Sequence, residues 1–150
     1  MIDRDARDEL IVLVKDFISG RITNFQFEAG VPFSGDKAID AIEDYFWSFY
    51  DDFKEHHISF TDIPLTTKKE IARLILFLSS DREYRWDEPR NSLRSFRWIF
   101  KRPKALRAQK FKKFELHNRG DMSVWPFMQR RHMMTEAGKK RVGLSLKIAA

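Results

Sequence analysis

The chain is 150 residues long, 43% hydrophobic and 14% aromatic, with a net charge of +6 and no cysteine. That length suits one domain, and its 14 phenylalanines supply the core that a disordered chain lacks. The missing cysteine excludes disulfides, thiolate chemistry and cysteine-ligated zinc or iron–sulfur centres.

Charge is divided unevenly along the chain. Residues 1–66 hold 6 Lys or Arg against 14 Asp or Glu, and residues 67–150 hold 22 against 8. Between Arg90 and Lys113 there are ten basic residues and no acidic one. Such a split accompanies a charged partner, or else two halves that attract each other within one fold. The start, Met1-Ile2-Asp3-Arg4-Asp5, lacks the basic-then-apolar pattern of a secretory signal. The apolar runs Leu10–Val14 and Leu74–Leu78 are too short to cross a bilayer, so the expectation is a cytoplasmic protein without a membrane partner.

Helical spacing of Leu10, Leu13, Val14, Phe17 and Ile18 predicts a first helix over 4–19, with acids in its first turns and Gly20 past its end. A short second helix is expected from Thr23 to about Ala29, anchored by Phe25 and ended by Gly30 and Pro32. The third helix is expected over 36–54, where Ile39, Ile42, Phe46, Phe49, Tyr50 and Phe53 form one stripe. Thr67-Lys68-Lys69-Glu70 matches a capping box opening a fourth helix to about Ser79. Its run Leu74–Leu78 is apolar nearly all round, which places it centrally. Further helices are expected over 91–101 and 104–114, and from Gln129 to Gly138. The turn Asn118–Asp121 admits two flanking strands, a hairpin near residues 114–125. The fold class is therefore a mostly α, single-domain helical bundle over residues 1–150.

No nucleophile elbow, phosphate loop, dinucleotide loop or His-Glu-x-x-His pattern occurs, so no catalytic residue, metal ligand or cofactor is assigned. Asp52 with His56, and His132 with Glu136, have the i,i+4 spacing of one helical face. His56 and His57 at the end of a helix suit its dipole, a structural role; no role is assigned to His117.

Two surfaces have the makeup of binding sites. Trp47 falls outside the core stripe of the third helix, on the side that carries Asp36, Asp40, Asp44 and Asp51. An aromatic anchor within a carboxylate rim suits a cationic protein partner, although the same Trp47 can pack beneath a neighbouring helix. The second surface is basic: Arg90, Arg94, Arg97 and Lys101 recur at helical spacing, and Lys104 and Arg107 continue the positive field. Clustered cations beside Phe96, Trp98, Phe111 and Phe114 suit phosphates and stacked bases, which makes RNA or DNA binding the alternative function. A clasp onto the acidic helices accounts for the same residues. Oligomeric state is left open.

Three segments carry a resemblance. Phe17-Ile18-Ser19-Gly20-Arg21-Ile22-Thr23 through Phe27-Glu28 resembles the opening of small helical bacterial immunity proteins, where a helix ends in Gly-Lys/Arg-Ile-Ser/Thr and a short Phe-Glu helix follows. The segments from Phe77 to Trp86 and from Gly120 to Phe127 resemble parts of uncharacterised small bacterial proteins. The first resemblance implies a non-catalytic inhibitor that binds a toxin domain, often a basic nuclease, with the acidic face around Trp47 as its docking surface. The strongly basic second half departs from that pattern.

Overall fold

The computed structural model describes residues 1–86 and 119–148, with side chains to residue 140. The described part is mostly helical: α1 (Arg4–Ile18), α2 (Asn24–Gly30), α3 (Lys37–Phe46), α4 (Leu65–Leu78) and α5 (Arg130–Ile148). The expected helices over 91–101 and 104–114 lie outside the described residues. No strand occurs among those described, and the expected hairpin's second arm is instead a 3₁₀ turn, Met122–Val124. Asp121 caps that turn by accepting from the Ser123 amide, which satisfies a donor that a strand would offer sideways.

Each early helix starts where a side chain takes up its orphan amides. Asp3 accepts from Ala6 at the start of α1, and Thr23 and Gln26 form a reciprocal capping box for α2. Gly20 ends the first turn at φ +74°, and a Cβ there would lie 2.6 Å from the Ile58 carbonyl oxygen. Only glycine meets both conditions. Phe17 on α1, Phe27 on α2 and Phe46 on α3 then converge, with Phe17 and Phe27 stacked at 4.7 Å.

The third helix stops at Phe46, two turns before the expected end, and Trp47–Phe49 tighten into a 3₁₀ turn. The Asn24 amide group donates to the Asp51 and Lys54 carbonyls, and its Oδ1 accepts from the His56 amide. Those backbone groups are satisfied across the fold, so the segment has no need to stay helical. Phe53, expected in the core stripe, is consequently solvent-exposed.

α4 begins at Leu65 behind Pro64, so Thr67 lies inside the helix and caps nothing. Ile71, Leu74, Phe77 and Leu78 are buried, while Ile75 and Leu76 are only partly so. α4 packs on α1 and on α5, and α5 continues well beyond Gly138.

Two polar devices lock the bundle. Arg7, fully buried, holds Asp36 through Nε (2.6 Å) and Nη2 (3.2 Å) and donates from Nη1 to the Ser80 and Arg82 carbonyls. Asp36 also accepts from the Asp3 and Ala38 amides, so the start of α3, the start of α1 and the end of α4 share one satisfied network. The second device joins the segments Phe77–Trp86 and Gly120–Phe127. Trp86 Nε1 donates to the Pro126 carbonyl (2.9 Å), Trp125 Nε1 donates to Tyr84 Oη (3.2 Å), and Phe77 meets Phe127 edge-on at 5.0 Å. Arg73 on α4 donates to the Ser123 and Trp125 carbonyls and fixes the second segment to the bundle.

Candidate functional site

The residues predicted around Trp47 fall into different environments. Asp36 is not part of an acidic rim: it caps α3 and is 1% exposed, so its carboxylate is unavailable to a partner. Burial pushes its pKa up, but the Arg7 guanidinium and two amides outweigh that and hold it below the ordinary value. Asp51 lies in the loop beyond the 3₁₀ turn, where its carboxylate accepts from the Phe53 amide. The premature end of α3 takes it off the helix that was to align it with Trp47. Asp40 is exposed on α3, and Asp44 is half-buried there.

What the fold does bring together is a different set. Trp47 is half-buried and meets Tyr50 edge-on, with ring centres 4.4 Å apart. The Tyr50 hydroxyl donates to the Glu28 carboxylate on α2. Phe27, Glu28, Glu43, Phe46, Trp47 and Tyr50 line a shallow notch of about 10 Å³, room for one water molecule. Burial and the neighbouring charges of Asp40 and Glu28 push the Glu43 carboxyl above its ordinary value. Burial and Asp36 do the same to Asp40. Among the described residues neither Asp40 nor Glu43 has an ion-pair partner. Two carboxylates, those of Glu28 and Glu43, thus adjoin an aromatic edge made by Trp47 and Tyr50, and Asp40 adds its charge beside Glu43 on α3.

Sequence reasoning missed Glu28, Glu43 and Tyr50. Glu43 and Tyr50 stood four and three residues from Trp47, but a uniform helix through Lys54 assigned Tyr50 to the core. Glu28 arrives from α2, and no local spacing announces that. Arg90, Arg94, Arg97, Lys101, Lys104 and Arg107 lie outside the described residues, as does His117.

His56 is not paired with Asp52 on a helical face. Its ring nitrogens lie 3.1 Å from the Lys54 carbonyl and 3.0 Å from that of Phe49, inside the loop that replaces the helix. Glu136 is buried and accepts from Arg82 and Lys139. Among the described residues no three His, Asp or Glu side chains gather as a metal site would need. No described helix is long and apolar enough to cross a membrane.

No protein-family model, curated protein or solved structure matches this chain.

Proposed function

We propose that the chain is a non-catalytic protein-binding module that docks a basic partner on the α2–α3 face, as an immunity-like inhibitor would dock a toxin domain. One observation carries this reading: Glu28 and Glu43 hold like charges beside Trp47 and Tyr50, with Asp40 next to Glu43 on α3, and no cation among the described residues pairs with Asp40 or Glu43. Half-burying Glu43 beside the charges of Asp40 and Glu28 costs the free chain stability, whereas a cationic partner would relieve both that repulsion and the desolvation of Glu43. Trp47 and Tyr50 add rigid aromatic area of the kind that concentrates binding energy.

The test is affinity capture with the wild-type chain, Asp40→Lys and Trp47→Ala, after equal thermal unfolding has shown all three folded. A basic protein retained by the wild type and weakened about tenfold or more by each change supports the reading. Equal retention by all three removes the α2–α3 face from consideration. Nucleic-acid binding rests on the base-only stretch 90–113. A salt titration with single- and double-stranded oligonucleotides distinguishes it, because phosphate contacts give a steep loss of affinity with salt.

A further inference from the structure

The joined segments Phe77–Trp86 and Gly120–Phe127 form the wall of a cleft at the far end of α4. In the first segment Tyr84 and Trp86 are buried, and the intervening Glu83 and Arg85 are exposed. This alternation is what an extended chain produces when one face packs on a core. The cleft has a volume of about 770 Å³, within the range of small-molecule sites. Its accessible apolar lining comes from Ile2 and Met128, which stand over the buried Phe77 and Phe127.

Its polar lining is cationic in balance. Arg82, Arg85 and Arg131 contribute guanidinium groups, and His132 stands among them at the start of α5. Asp81 is exposed and lies 3.8 Å from Arg4, and Glu83 accepts from the chain's amino group at 3.1 Å and lies 3.8 Å from Arg85, which leaves Arg82 and Arg131 as the cations that no lining acid holds. Arg82 spends its Nε on Glu136, and no other bond to its guanidinium is found among the described residues. Arg131 is exposed and has no ion pair among the described residues. His132 records the resulting field, because burial and then Arg82, Arg131 and Arg85 all push its pKa down. Asp81 and Glu83 do not reverse that direction.

We infer that this cleft binds a small phosphomonoester carried on a ring, with the phosphate between Arg131, Arg82 and His132 and the ring against Ile2 and Met128. Guanidinium groups suit phosphate because their planar fork matches its oxygens. The apolar lining requires a body that bare phosphate lacks, and the volume accommodates one of nucleotide size.

The experiment is an NMR titration of the whole chain with phenyl phosphate, adenosine monophosphate and inorganic phosphate, following the His132 ring. Both ring-bearing phosphates should bind at least tenfold more tightly than inorganic phosphate and should raise the His132 pKa. Arg131→Gln, which breaks no ion pair found among the described residues, should weaken them roughly tenfold, the worth of one charged hydrogen bond. Inorganic phosphate binding as well as the other two would overturn the inference. So would an unmoved His132 titration, or equal affinity in Arg131→Gln.

Discussion

Removing one member of a buried ion pair leaves a charge that water cannot reach. Arg7 and Asp36 are both essentially inaccessible, and every oxygen of Asp36 is occupied. Arg7→Met should therefore cost about 3–5 kcal/mol in urea unfolding, far more than an exposed pair such as Arg4–Asp8 contributes. The pH dependence follows from the direction of the Asp36 shift. Its folded pKa is below the unfolded one, so its contribution is complete above the ordinary 3.8 and is lost as pH falls through the folded value. Glu43 has the opposite sign. Its folded pKa is above the ordinary 4.5, so its charge destabilises the fold at neutral pH and ceases to do so as pH falls through that raised value. Glu43→Gln should raise the melting temperature by about 1–2 °C at pH 7 and by less near pH 4.

At the scale of elements, local signals and distant ones separate cleanly. The bounds of α1 and α2 were legible because Asp3, Gly20 and Thr23 act within a turn of themselves. The end of α3 was not, since the groups that release it belong to Asn24, more than twenty residues earlier. For the same reason the candidate acidic set was only partly legible: Asp40 and Asp44 stand on α3 as expected, Asp36 is buried as its cap, Asp51 falls beyond the 3₁₀ turn, and Glu28 arrives from α2 with no local signal. The segments 77–86 and 120–127 stood out as sequence, but their mutual packing depends on Trp86 and Trp125 reaching partners some forty residues away. Gly120 tests that packing. A Cβ there would lie 2.5 Å from the buried Trp86 ring. Gly120→Ala should cost about 1–3 kcal/mol through overpacking, read by urea unfolding followed by tryptophan fluorescence.

For the whole molecule, the charge split becomes a matter of which acids the fold consumes. Asp3 and Asp36 are taken up as helix caps, and Glu136 is taken up by Arg82 and Lys139. Asp40 and Glu43 have no ion pair among the described residues; Glu43 adjoins the aromatic edge, and Asp40 stands beside Glu43. The acidic half is therefore not a uniform solvated surface; its structural acids and its candidate binding acids are distinct residues. Electrostatic docking on such a face should fall with salt, mainly through slower association.

The most direct test of the docking face is the dissociation constant of the captured basic partner for the wild type and for Asp40→Lys, measured at low and at physiological salt. A difference of about tenfold at low salt that narrows as salt rises is expected. Equal constants at both salt concentrations, with both proteins folded, would contradict it.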